Sequence, residues 1–167
     1  MKKRVLSLIM AGLLLATPVT AFAQEPAGTS NTVYTAVSEC SDGGYWITTI
    51  EEEDTGIAAF AASTKKASKT TKYYNNNNVL QWYVTVNGTF SYVKGKSSAC
   101  TAASVTAVSK SSAWKIASKK ASKSGSTATA SATAKRYANN ILMEKATRTV
   151  KLTCDKNGNL SWFPCIQ

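Results

Sequence analysis

The sequence predicts an all-β chain: an antiparallel β-sandwich of the immunoglobulin-like kind, stapled by disulfides. Three observations carry that expectation. Short runs rich in Thr, Val, Ile, Tyr and Trp recur along the chain, separated by turns that contain Asn and Gly. From Thr127 to Tyr137 the residues alternate, with alanine at 128, 130, 132 and 134, the period of a strand with one closely packed face. Four cysteines, Cys40, Cys100, Cys154 and Cys165, follow a segment with the marks of an export signal.

That segment is Met1-Lys2-Lys3-Arg4, an apolar stretch from Val5 to Ala16, and Ala21-Phe22-Ala23, which supply a basic start, a hydrophobic run and a cleavage site. The run falls short of the ~20 residues a spanning helix needs. Residues 1–23 are therefore expected to be a cleaved signal peptide, and the mature protein to be secreted, extracellular and without a membrane span. Residues 24–43 read as an N-terminal leader or linker with one strand at Val33–Val37, and residues 44–167 as the sandwich domain. Leu, Ile and Met cluster in the signal, so the domain's core must lean on Ala, Val and aromatic residues.

The domain opens at Gly43-Gly44, which leads into a strand over Tyr45–Ile50 closed by the acidic run Glu51–Asp54. Residues 55–69 stay open, with Ile57–Ala62 readable as a helical turn or as strand. Thr70–Tyr74 and Val79–Val86 flank a turn at Asn75–Asn78, where asparagines tolerate left-handed backbone. Asn87-Gly88, the strongest short hairpin dipeptide, is expected to turn the chain into another strand at Thr89–Val93. Lys94-Gly95-Lys96 then turns into Ala99–Val108, and Ala113–Ala117 forms a short strand. Lys123–Ser126 turns into the alternating run 127–137, and Asn139-Asn140 turns that run into Ile141–Met143, which continues through Thr147–Cys154.

Asp155–Asn159 fits a three-residue hairpin loop with Gly158 left-handed. That register sets Leu160 opposite Cys154 and gives Val150, Leu152, Cys154, Leu160 and Trp162 one shared face. Cys165 then points to the opposite face from Cys154, so those two should not bond. Cys100 lies in the most strand-like earlier run, which predicts a buried Cys100–Cys154 bridge and leaves Cys40–Cys165 to tie the ends together.

Histidine is absent, which removes Ser-His-Asp and Cys-His catalysis and every His-containing metal site. No C-x-x-C pair and no Gly-rich phosphate loop is present, and Glu51–Asp54 reads as a solvated strand end. The chain is expected to be no enzyme and to take no metal or cofactor. Its formal charge is +11, of which Lys2, Lys3 and Arg4 hold three, leaving +8 on the mature chain. Such a secreted cation is drawn to polyanions, although lysines scattered among Ser, Thr and Ala also serve solubility. Most aromatics are expected in the core. Trp114, beside Lys115 in a Ser/Lys-rich neighbourhood, is the candidate exposed ligand contact, with core packing as its alternative.

Leu80–Tyr92, and again Thr149–Cys154 through Gly158–Ser161, resemble a group of uncharacterised small secreted proteins of gut-dwelling Gram-positive, clostridia-like bacteria. The resemblance spans roughly Tyr45 to Ser161. It implies an exported β-sandwich domain and supports the Cys100–Cys154 bridge, but brings no activity with it. The expected function is a secreted, non-enzymatic binding or interaction module whose partner is an anionic cell-wall polymer or glycan. The alternative is a secreted effector that binds a host or competitor protein, as an inhibitor, toxin-like factor or immunoglobulin binder. No specific nucleic-acid partner is expected.

Overall fold

The computed structural model describes residues 30–53 and 62–161. Within them the chain forms nine strands in two antiparallel sheets and no helix. The first sheet holds β1 (Ser30–Glu39), β2 (Tyr45–Glu53), β3 (Ser63–Tyr74), β4 (Leu80–Val93) and β5 (Ser97–Ser109). The second holds β6 (Trp114–Ser124), β7 (Thr127–Ala138), β8 (Ile141–Cys154) and β9 (Leu160–Ser161). Residues 1–23, Cys165 and the first part of the ambiguous stretch, through Ala61, lie outside the described residues, while its remainder from Ser63 on is strand in β3.

Each described strand in a sheet pairs with its neighbours in sequence. This up-and-down order corrects the immunoglobulin-like expectation, because that arrangement needs Greek-key crossings between the sheets. Tight turns explain the meander. Asn75–Val79 and Asp155–Asn159 close with one geometry: the first residue's amide bonds the carbonyl four residues on, and its side-chain oxygen accepts two later amides. The left-handed position is Asn78 in one (φ 60°) and Gly158 in the other (φ 84°). Leu160 pairs with Cys154 as the three-residue loop requires. Asn139 and Asn140, with φ of 48° and 64°, make the two-residue turn between β7 and β8.

The strand expected in the leader is β1, which is longer than expected and forms the edge of the first sheet, paired with β2 from Ser30↔Glu53 to Glu39↔Tyr45. Asn87-Gly88 makes no hairpin. β4 runs through it without interruption, pairing Asn87 with Ser68 and Ser104, and Gly88 with Ala67 and Ala103. Gly88 is needed there for room, since a Cβ would lie 2.6 Å from the Phe90 ring and 3.2 Å from the Ala128 side chain.

The core lies between the sheets and is supplied unequally. The first sheet contributes Trp46, Ile50, Tyr73, Trp82, Val84, Val86 and Phe90, all buried. The middle of the second answers with Ala128, Ala130, Ala132 and Ala134, then Val150 and Leu152. β4 packs across β7 and β8, and β5 against β6 and β7. Small side chains on β7 let the sheets approach closely enough for the large rings of β4 to fill the interval.

Candidate functional site

One end of the sandwich collects the connections at residues 40–44, 75–79, 110–113 and 139–140. They surround a cleft of about 370 Å³ lined by Asp42, Tyr73, Gln81, Trp114, Arg136 and Glu144, among others. The Tyr73 hydroxyl donates to Asp42 at 2.7 Å, and the Gly44 amide donates to the other carboxylate oxygen at 3.0 Å. Those two donors, the phenol first, hold the Asp42 carboxyl below its ordinary range. Burial, reinforced by Asp42, pushes the Tyr73 phenol well above its own. Arg136 pairs with Glu144 at 3.0 Å. Both acids are thus engaged by donors, and the cleft offers carboxylate and amide groups suited to hydroxyl-bearing ligands.

Trp114 lies beneath this cleft and is 3% exposed, which corrects its reading as an exposed contact. Its ring sits edge-on to Tyr73 at 5.9 Å and tilted against Trp82 at 6.0 Å. Trp46 completes the cluster, edge-on to Trp82 at 5.2 Å, with the Arg148 guanidinium 4.7 Å over its ring. Burial of this much aromatic surface leaves Trp114 no free face for a sugar to stack on.

Lys115 goes the other way. Because successive strand residues point to opposite faces, Lys115 is exposed on the outward face of the second sheet, with its ammonium 5.5 Å from the Tyr137 ring. There the ladder pairs Lys115 with Lys135 and Lys135 with Lys145. Lys120 and Lys151 share the face, on registers that pair them with Ser131 and Thr129. The positions between these lysines are hydroxyls, joined in pairs such as Thr127–Thr153 at 2.7 Å and Thr133–Thr147 at 2.9 Å. No acid falls on this face among the described residues. Like charges directly opposite one another on a sheet oppose folding, so the rank of three lysines concentrates positive charge on this face at a modest cost in stability.

Two bulges create the rank. The register shifts between Ile116 and Ser118, leaving Ala117 as the extra residue, and again where Arg136 pairs Glu144 but Tyr137 pairs Leu142, leaving Met143 extra. Without the second shift Lys135 would sit opposite Glu144. With it, Glu144 turns inward to Arg136 and Lys145 takes the outward place. Sequence reading found Lys115 and missed Lys135 and Lys145, since only this register brings the three together.

Charge follows the same division. Residues 110–161 hold nine lysines, two arginines and two acids, against six lysines and five acids in the described residues before them. The groove on the first sheet's outward face, lined by Glu51, Glu53, Lys66 and Asn87, carries both signs.

At the far end, Cys100 and Cys154 are both buried, and their amides bond the adjacent carbonyls of Gly125 and Ser126 at 2.7 and 3.1 Å. The expected bridge is not made here. Among the described residues Cys40, Cys100 and Cys154 carry free thiols. Cys100 follows the shift in register between Thr89 and Phe90, and its thiol turns back to the Ala102 carbonyl at 3.2 Å, while that of Cys154 turns to Asp155. Burial raises both thiols, which keeps them protonated and poorly nucleophilic. No cluster of three or more His, Cys, Asp or Glu side chains among the described residues could hold a metal ion.

No protein-family model matches the chain, and neither does any curated protein or solved structure.

Proposed function

We propose that this chain is a secreted, non-enzymatic binding module that holds an anionic cell-envelope polymer or glycan against the outward face of its second sheet. The observation that carries the reading is the Lys115–Lys135–Lys145 rank on a face without acids. A flexible polyanion laid across the strands meets a cation on each of three strands, about 4.8 Å apart. Ser and Thr hydroxyls between the lysines offer hydrogen bonds to phosphate, carboxylate or sugar oxygens. The lack of histidine and the raised thiols favour binding over catalysis.

Export through residues 1–23 places the domain outside the cell, and the reading includes the Cys100–Cys154 bridge, formed as the two thiols lose their protons and electrons to the oxidants of that compartment. The backbone amides of Cys100 and Cys154 donate to adjacent carbonyls of one turn, which supports that pairing. Closing a loop of this length stabilises the fold by about 4 kcal/mol on the chain-entropy account. Cys40–Cys165 is the companion pair, with Cys165 outside the described residues.

Co-sedimentation of the oxidised mature protein with intact cell envelopes, across a sodium chloride series, tests the reading. Binding should fall steeply with salt, because exposed charges screen within ~10 Å at moderate ionic strength. Replacing Lys115, Lys135 and Lys145 by Gln should weaken binding by about tenfold. Salt-insensitive, saturable capture of a host protein by the same preparation would replace this reading with the effector alternative.

A further inference from the structure

Three consecutive large apolar residues stand in solvent where β7 turns into β8: Ile141 is 65% exposed, Leu142 48% and Met143 56%. Among the described residues the other exposed large hydrophobics, Val33, Val37 and Val79, are not consecutive, so a hydrophobic tip of this kind stands out. The two-residue turn at Asn139-Asn140 holds it rigidly, with Ala138 paired to Ile141 and Tyr137 to Leu142. The second bulge leaves Met143 as the extra residue, so the apolar cluster widens at its base.

Behind the tip the chemistry changes in a fixed order. Tyr137, half-buried and directly opposite Leu142, stands at the base of the cluster, with the Lys115 ammonium over its ring. The Lys115–Lys135–Lys145 rank follows, with the Arg136–Glu144 pair beside it. Apolar residues, then an aromatic with a polar end, then cations is the sequence of environments met on leaving a bilayer: acyl chains, headgroup boundary, phosphates. Two or three strand residues project about 7–10 Å, which matches the depth at which interfacial segments bury their apolar groups. Contact between two copies of the tip would bring like-charged lysine ranks together, whereas an anionic lipid surface neutralises them.

We infer that the β7–β8 tip inserts peripherally into an anionic lipid bilayer, with Ile141, Leu142 and Met143 at the acyl boundary and Lys115, Lys135 and Lys145 at the phosphates. No strand crosses the membrane in this arrangement. It adds a second contact to the proposed polymer-binding face, and the two are separable because the apolar residues lie toward the turn, beyond the lysine rank.

Co-sedimentation of the oxidised mature protein with phosphatidylglycerol/phosphatidylcholine vesicles, pure phosphatidylcholine vesicles and a soluble poly(glycerol phosphate) tests the inference. The wild type should bind the anionic vesicles and not the neutral ones. The triple variant Ile141→Ser, Leu142→Ser, Met143→Ser should lose about tenfold or more of the vesicle affinity while binding the soluble polyanion as the wild type does. All three residues are exposed, so its thermal melt should stay close to wild type, and Leu142→Ser alone gives a milder version with a smaller loss. Equal vesicle binding by wild type and triple variant would overturn the inference, as would no binding of wild type to anionic vesicles. Self-association that the triple variant abolishes, without vesicle binding, would assign the tip to a second copy and overturn it too. Loss of polyanion binding by wild type, with vesicle binding intact, would count against the polymer reading and leave this one standing.

Discussion

The two sheets solve different problems with the same backbone. The first presents its large side chains inward, with Trp46, Tyr73, Trp82 and Phe90 in the core, and mixes acids with lysines outside. The second presents mostly small or mid-sized groups inward, the alanines of β7 with Val150 and Leu152, has its inward bulk at the cleft end in Trp114 and in Arg148 over the Trp46 ring, and gathers lysines outside. Trp114 aside, the aromatic bulk of the core and the surface lysines are thereby assigned to opposite sheets. A sheet that supplies little of the core's volume can vary its outward face freely, because its inner contribution needs only to be small and apolar.

The comparison breaks most easily in the core. Trp82→Ala should cost about 3–5 kcal/mol, since it removes the ring that bridges Trp46 and Trp114. Denaturant unfolding would show the shift in midpoint. The reciprocal change, Ala132→Leu, should cost about 1–3 kcal/mol by forcing the sheets apart. If Ala132→Leu proved neutral in the same unfolding experiment, the close approach across β7 would not be what the alanines serve. Gly88→Ala belongs to the same class, because its Cβ would meet the Phe90 ring, and about 1–3 kcal/mol is again expected. A further strand-breaking effect is not expected, as β4 is already extended there.

Much of this inner division was legible in the sequence. The alternation at 128–134 named the alanine face, and the loop Asp155–Asn159 gave the register that sets Leu160 against Cys154. Asn87-Gly88 misled for a physical reason: a hairpin dipeptide and a glycine under an aromatic ring look alike until the ring is placed. Lys69 lies in the stretch the sequence leaves open. It is 2% exposed, opposite Ile50 and Val86, although a lysine in a Ser/Thr-rich run reads as solvated. The lysine rank could not be read at all, because it depends on bulges at Ala117 and Met143 that no local residue preference announces. Trp114 and Lys115, adjacent in sequence and read together, part to opposite faces as a strand requires.

The outward division gives smaller effects on stability. Replacing Lys115, Lys135 and Lys145 by Gln should leave the fold unchanged or raise its melting temperature slightly, since the variant relieves a like-charge rank. A drop in stability would mean that the lysines hold the sheet together and are not spare for a ligand. The smallest effect is at the end cleft. Asp42 titrates below its ordinary value of 3.8 in the folded chain, so its bond to Tyr73 stabilises at neutral pH and is lost as pH falls below about 4 through the depressed value. Thermal melts between pH 6 and pH 2 should therefore fall less for Asp42→Asn than for wild type.

The central claim, that the second sheet's outward face binds an anionic polymer, is tested most directly by amide chemical shifts of the labelled, oxidised mature protein titrated with soluble poly(glycerol phosphate). The account predicts shifts concentrated on β6, β7 and β8 at and around Lys115, Lys135 and Lys145, reversed by added salt. Shifts confined to the end cleft or to the first sheet, or none at low salt, would contradict it.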